Sequence, residues 1–259
     1  MMLKKLFRKS LQLCNSFTGI NLVTCLNIIY NIPLFIYDSF LYTKKNKSQS
    51  FKICLSKLYP ILTDRNTQAG NTQSHYFHQD IWAAKKLLKK KPTRHVDIGS
   101  RIDGFVSHCL VFRKMEVIDI RNLSSTINNL SYIKEDATTL KSFKNNELES
   151  ISTLHAAEHF GLGRYSDPID PDAFKIFFEN LQRVLKENGT LYFSVPIGKE
   201  RLEFNAQRVF SPKTILSLFC DLKLVSFSVI DDHNNFYEDV NPKNYESLHY
   251  GCGLFEFKK

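Results

Sequence analysis

The residues best suited to chemistry lie between 95 and 172, and most of them close short apolar runs. Val96-Asp-Ile-Gly-Ser-Arg-Ile-Asp-Gly104 reads as a buried strand that ends on Asp97 and turns at Gly99. Glu116-Val-Ile-Asp-Ile120 is a second such run, with Asp119 near its end. Acids about twenty residues apart at the carboxyl edges of consecutive strands are how a βαβ unit holds a nucleoside. The turn glycine lets backbone approach the ligand, and the second acid accepts from ribose hydroxyls. Asp136 and His155-Ala-Ala-Glu158-His159 supply two further polar strand ends. One strand-end acid alone is best read as a cap or turn residue. Four polar ends in succession are better explained by one shared pocket, because ligands of open α/β sheets sit outside the carboxyl ends of the strands.

Other segments offer chemistry with a plainer rival. Gly161-Leu-Gly-Arg164-Tyr165 reads as a closing loop, with Tyr165 suited to a sugar face and Arg164 to a phosphate or carboxylate. Asp170-Pro171-Asp172 has the look of a divalent-ion site in sugar transfer, but helix capping explains it better. His75, His78 and Asp80 resemble a ligand set. No Cys or His pair is spaced to complete it, so no metal is expected, and with Tyr76 they suit a lid or acceptor-binding segment. Asn205 and Arg208 follow the fifth strand, where Arg208 either holds a phosphate or is an ordinary surface residue. Glu158 and His159 have plainer readings too, as a helix cap and a packed ring.

These residues require a scaffold of alternating strands and helices. Strands are expected at 94–98, 115–120, 131–134, 150–154 and 189–195, and two more at 222–230 and 253–258. Helices are expected at 79–90, with Ile81, Trp82, Leu87 and Leu88 inward, and at 104–112 and 172–187, the last stopped by Asn188-Gly189. Such alternation predicts a mostly parallel sheet with helices on both faces. Residues 51–73 read as irregular.

Composition narrows the setting. The 259 residues suit one α/β domain, 51–259, behind an N-terminal helical extension, 1–50. A formal charge of +9 fits anionic lipid or phosphorylated substrates. Nucleic acid ranks low, because the basic residues are scattered and no RNA-binding aromatic signature accompanies them. Six cysteines without a regular framework imply reduced thiols and a cytoplasmic protein. The basic start (Lys4, Lys5, Arg8, Lys9) precedes an apolar run interrupted by Asn21, Asn27, Asn31, Pro33 and Asp38. Two short helices hinged at Asn31-Ile-Pro33 are expected. They either lie peripherally on the anionic inner face of the membrane or pack on the main domain, with a membrane span ranked third.

Strand, acid, glycine turn, second acid and Glu158-His159 ahead of a helix ending Arg183-Val-Leu-Lys-Glu-Asn-Gly189 resemble class I methyltransferases that use S-adenosylmethionine. Thr190-Leu-Tyr-Phe-Ser-Val-Pro196 is similar to their fifth strand. His75-Tyr-Phe-His-Gln-Asp80, His95 to Phe105, Leu154 to Tyr165, Asp167-Pro-Ile-Asp-Pro171 and Phe204-Asn-Ala-Gln-Arg-Val-Phe210 resemble more closely the family called domain of unknown function 268. The resemblance implies a Rossmann-like fold with an antiparallel last strand. It implies that Asp97, Gly99, Ser100, Arg101 and Gly104 lie beside the methionine part of the cofactor. Asp119 and Ile120 would then lie at the ribose, and Asp136 and Ala137 at the adenine. His159, then His155, would be the base, oriented by Glu158. His75, Tyr76, His78, Arg164, Tyr165, Asn205 and Arg208 would meet the acceptor. The usual second and third loop glycines fall at Arg101 and Asp103, so Arg101 would pair with the cofactor carboxylate or fill its place. The expected activity is O-methylation of a sugar or glycolipid in cell-surface polysaccharide synthesis. The rivals are a metal-dependent sugar transferase using Asp170 and Asp172, and a non-catalytic binding module with Arg101 in the cleft.

Overall fold

The computed structural model describes residues 10, 11, 13–48 and 50–259. The chain divides into two compact units between Asn71 and Thr72. Lys4, Lys5, Arg8 and Lys9 lie outside the described residues.

In the first unit, residues 13–18 are helical. Gly19 follows at φ +70°, its N–H donating to the Asn15 carbonyl at 2.9 Å, a left-handed exit that glycine permits. Asn21 caps α1 (Leu22–Lys45), accepting from the Thr24 N–H at 3.1 Å. The expected hinge is therefore misplaced, since α1 runs through Pro33 and the break falls at 19–21. A glycine exit followed by an Asn cap ends a helix outright, whereas an interior proline only weakens one, by about 3 kcal/mol. Asn31, buried within α1, donates through Nδ2 to the Leu62 carbonyl at 2.8 Å. Residues 51–71 are irregular apart from a 3₁₀ turn at Leu55–Lys57.

The second unit carries the sheet. In chain order its elements are α2 (His75–Lys90), β1 (Val96–Ile98), α3 (Ser107–Leu110), β2 (Met115–Asp119), β3 (Leu130–Lys134) and β4 (Leu148–Leu154). Then come α4 (Ala173–Val184), β5 (Leu185–Ile197), the hairpin β6 (Arg201–Glu203) and β7 (Gln207–Val209), and α5 (Pro212–Leu218). The chain closes with β8 (Lys223–Ile230), β9 (Phe236–Tyr237) and β10 (Gly251–Lys258). The main sheet has the order β3-β2-β1-β4-β5-β10-β8-β9. β1 to β5 are parallel, and β10 runs antiparallel between β5 and β8. This is the expected Rossmann-like sheet, and the strand order reverses between β1 and β4.

Both faces are covered. Phe177, Phe178 and Leu181 of α4, with Phe219 after α5, pack on Phe193, Phe255 and Phe257, and the Phe178 and Phe219 rings are 4.5 Å apart. On the opposite face Trp82, Ala83 and Leu87 of α2 join Phe105 and Cys109 against Val117 and Tyr192.

Element ends differ from expectation for local reasons. α2 starts a turn early because Ser74 caps it, accepting from the Phe77 N–H at 3.2 Å, and Leu88 points outward. The helix expected at 104–112 is a π-turn, Ile102–Val106, and the single turn α3. Gly104 breaks it at φ −111°, ψ −110°, where a Cβ would stand 2.2 Å from Asp80 Oδ2. α4 stops at Val184 because Leu185 is drawn into pairing with Leu148, before the Asn188-Gly189 turn is reached.

Candidate functional site

The turn after β1 is braced from behind. Asp97 is fully buried and its carboxylate accepts from the Ser100 N–H (3.1 Å), the Ser100 hydroxyl (2.6 Å) and the Ser152 hydroxyl. Ser100 Oγ in turn accepts from the Leu154 N–H at 3.1 Å. His95 bridges Ser150 and Ser152 on β4, at 2.7 Å through Nδ1 and 3.0 Å through Nε2. Burial pushes Asp97 up to about 6 and His95 down to about 3, so a neutral imidazole donating Nε2–H to Ser152 completes the chain. Asp97 and Ser100 therefore hold the turn rather than face a ligand. Gly99, at φ +71° with room for nothing larger before Ala156, presents its backbone instead.

That backbone borders a cleft of about 320 Å³ at the strand ends. Asp119, Ile120, Asp136 and Ala137 form one side of it, and His155, His159 and Tyr165 another. Ile118, Phe160 and Ile176 add apolar surface. The acids are engaged. Both Asp119 oxygens take Arg121, through Nε at 2.9 Å and the terminal nitrogen at 2.5 Å, and Oδ1 also accepts the Arg121 N–H at 2.8 Å. Asp136 Oδ1 accepts from the Thr138 N–H at 2.9 Å and from its hydroxyl. Arg101 lies at the rim, forked onto Asp103 at 2.7 and 3.0 Å with its guanidinium 5.1 Å from the Tyr76 ring centre. It is exposed to solvent and does not fill the cleft. Gly104 belongs to the α2 contact and not to the cavity wall.

Sequence reasoning missed the residue that fixes the Asp136 side. Arg183 on α4 donates to the carbonyls of Thr139, Leu140 and Phe143 at 2.9–3.1 Å and to Asn180 Oδ1 at 2.8 Å. An Arg near the end of an amphipathic helix gives no local sign that its five donors reach a loop forty residues away. Arg121 was missed likewise. It stands 4.8 Å from the Tyr165 ring centre, with Arg164 at 5.2 Å from the same ring.

The segment after β4 buries three polar side chains. His155, at φ +53°, is buried; among the described residues its Nε2 has no hydrogen-bond partner and its Nδ1 makes only a 3.4 Å contact to Ser194 Oγ and a 3.8 Å contact to Cys252 Sγ. Glu158 is fully buried with neither side-chain oxygen hydrogen-bonded among the described residues, and burial pushes it up to about 8. His159 Nδ1–H donates to the Ala206 carbonyl at 2.7 Å, which leaves Nε2 as the acceptor, 3.7 Å from Glu158 Oε1. Burial lowers His155 to about 3 and His159 to about 4, so both rings are neutral near pH 7.

The remaining expected acceptor residues separate. His75 and Tyr76 line an open pocket with His155, Asp232, His249 and Tyr250. His78 stacks on Phe236 instead, with ring centres 5.5 Å apart. Arg164 donates to the Ala206 carbonyl at 3.0 Å, and Asn205 sits in the β6–β7 turn at φ +63°. Arg208 bonds the Phe160 and Pro171 carbonyls at 2.6 and 3.3 Å, tying down the loop over the cleft rather than offering a phosphate site. Asp170 accepts from the Asp172 N–H at 2.9 Å while Asp172 pairs with Lys175 at 2.7 Å, the arrangement of a helix start.

Residues 106–247, more than half of the chain, match the family described as Caenorhabditis protein of unknown function, DUF268. The chain belongs to the DUF268 family. No curated protein sequence matches it. Among solved structures, this DUF268 chain is similar to the [4+2]-cyclase SpnF, with TM-score 0.51 and 10% identity over 73% of this chain and 85% of that one. It is similar to the Galdieria sulphuraria protein named "putative sarcosine dimethylglycine methyltransferase", with TM-score 0.50 and 13% identity over 70% and 85%. YcgJ from Bacillus subtilis gives TM-score 0.50 and 14% identity over 70% and 98%. At these identities the likeness carries the fold, which for this DUF268 member is the Rossmann-like methyltransferase fold.

Proposed function

We propose that this protein is an S-adenosylmethionine-dependent methyltransferase acting on a hydroxyl of a sugar or glycolipid. The observation that carries the reading is the convergence of Gly99, Asp119 and Asp136 on one strand-end cleft whose far wall holds two neutral histidines. The cleft fits the cofactor chemically. Gly99 keeps its floor free of a side chain, Asp119 is an acceptor at the ribose position, and Ile118, Ala137 and Ile176 offer apolar surface to a base. Bound there, S-adenosylmethionine supplies an electrophilic methyl group.

The chain's own residues do the rest. Displacement at a methyl group is in-line, so alignment of the acceptor dominates. Tyr76 and His155 border both the cleft and the open pocket, which makes that pocket the acceptor's place. Tyr250 and His75 stack there at 5.4 Å and present flat faces suited to a sugar ring. His159 takes the acceptor's proton at Nε2, the nitrogen left free by its bond to Ala206. Glu158 lies 3.7 Å from that nitrogen and, being neutral near pH 7, leaves the ring uncharged until the acceptor's proton arrives.

The α1 helix adds a location. It is long and apolar enough to cross a membrane, and Leu26, Ile29, Ile36 and Phe40 are exposed. Its interior carries Asn27, Asn31 and Asp38, and Lys44 and Lys45 close it. That balance favours docking on the anionic inner face of the membrane over spanning it. Incubation with methyl-labelled S-adenosylmethionine and a panel of free sugars, nucleotide sugars and glycolipids tests the reaction. Label in an ether methyl group on a sugar, lost in His159→Ala at unchanged cofactor affinity, is the expected result. Wild-type turnover in that variant removes His159 as the base, and label found only on other acceptor classes overturns the sugar assignment.

A further inference from the structure

We propose that His75, His155 and Cys252 form a binding site for a zinc-class divalent metal, open on one side to the pocket beside the cleft. The three come from the first turn of α2, the end of β4 and the start of β10, so no sequence spacing announces them. One ligand atom from each lies within 4.8 Å of the other two. His155 Nδ1 and Cys252 Sγ stand 3.8 Å apart. A tetrahedral ion with Zn–S of about 2.3 Å and Zn–N of about 2.0 Å holds sulfur and nitrogen about 3.5 Å apart. His155 and Cys252 therefore already stand near ligand spacing, and the half-buried His75 brings a third ligand atom within 4.8 Å of both.

An independent observation points to a ligand. His155 is buried, and Nδ1, the nitrogen on the thiol's side, has among the described residues only two long contacts, 3.4 Å to Ser194 Oγ and 3.8 Å to Cys252 Sγ. Buried polar atoms are ordinarily satisfied, and Nδ1 has no contact shorter than 3.4 Å, so a metal held between it and the thiol would supply the close partner it lacks. His155 is also held in the left-handed backbone region, at φ +53°, which places the strand end at a conformational cost.

Two imidazoles and a thiolate make a soft donor set that selects zinc over magnesium or calcium. On binding, the Cys252 thiol releases its proton to solvent, so the neutral rings and one thiolate leave the site with a net charge of +1. Three protein ligands leave a fourth position open, as in catalytic rather than structural zinc sites. His75 and His155 line the open pocket, so that position takes a water or an oxygen of the molecule bound there. Its role rests on the methyl-transfer reading. A metal-bound hydroxyl loses its proton more readily, which suits a base as strongly lowered as His159. Metal binding itself is independent of that reading.

The test is metal content and cobalt spectroscopy on the full chain. The purified protein should retain one equivalent of zinc after dialysis, and Co²⁺ should give a thiolate charge-transfer band in the near ultraviolet. Cys252→Ser should abolish the band, and His75→Ala, on a half-buried helix start, should weaken zinc at least ten-fold with the circular dichroism unchanged. Cys54→Ser and Cys220→Ser should keep the band. No retained zinc and no band in folded protein, or a band that survives Cys252→Ser, overturns the site. Zinc binding without S-adenosylhomocysteine binding would keep the metal and discard its methyl-transfer role, whereas the reverse pattern discards the metal alone.

Discussion

Replacing Glu158 with Gln should make this protein more stable at alkaline pH and change it little in acid. The carboxyl is fully buried, neither oxygen is hydrogen-bonded among the described residues, and burial pushes it up to about 8 from the ordinary 4.5. Below pH 4.5 both folded and unfolded chains hold the proton. Between 4.5 and 8 the unfolded chain has released it and the folded chain has not, so rising pH favours unfolding. At about 1.4 kcal/mol per pH unit, the cost is roughly 3 kcal/mol at pH 7 and roughly 5 kcal/mol at pH 8. Gln has nearly the same shape and does not titrate, and at pH 5 it should match Glu158 within about 1 kcal/mol. Urea unfolding of both proteins at several pH values, followed by fluorescence of the single tryptophan, Trp82, reads the unit that holds Glu158. Asp97 and Asp80, also raised by burial, contribute equally to both proteins and cancel in the difference. Two parallel pH profiles would refute the burial argument. A stabilised Gln variant that no longer turns over would show why so costly a carboxyl is kept.

Asp119→Ala should weaken S-adenosylhomocysteine about 100-fold, the loss of one to two hydrogen bonds to a charged group. Arg121→Ala should act in the opposite sense, up to about 5-fold tighter, because Arg121 holds both carboxylate oxygens through a pair exposed on the arginine side and of small worth; calorimetry on each variant separates the two. Arg183→Ala strands three loop carbonyls that carry the Asp136 side of the cleft, and should cost about 3 kcal/mol in chemical denaturation. The double change Leu26→Asp and Ile36→Asp should lower co-sedimentation with phosphatidylserine vesicles at least about 10-fold, since each removes an exposed apolar side chain from α1.

The sheet was legible because its signals are local. Apolar runs closed by Asp97, Asp119 and Leu154 mark β1, β2 and β4 wherever the chain goes next, and the alternation with helices fixes a parallel sheet. What sequence could not show depends on contacts between distant residues. The short helical turn at 107–110 follows from Asp80 pressing on Gly104, and the early end of α4 follows from Leu185 pairing with Leu148. At the site, strand-end logic found Gly99, Asp119, Asp136, His155 and His159, all of which border one cleft. It misjudged the reach of Asp97, whose donors come from Ser100 and from Ser152 on another strand. It passed over Cys252, Asp232 and Tyr250, because nothing near them in the chain hints that β10 and the loop before it return to the end of β4. His75 was read with its sequence neighbours His78 and Asp80, while its spatial partners are 80 and 177 positions further along.

The central claim is that the strand-end cleft binds the cofactor of a methyltransferase. Calorimetric titration of S-adenosylhomocysteine into the full chain tests it most directly. One site per chain with micromolar affinity is expected, weakened about 100-fold by Asp119→Ala in a variant that keeps the wild-type unfolding midpoint. A folded wild-type protein that releases no heat, or one whose binding survives Asp119→Ala unchanged, would contradict it.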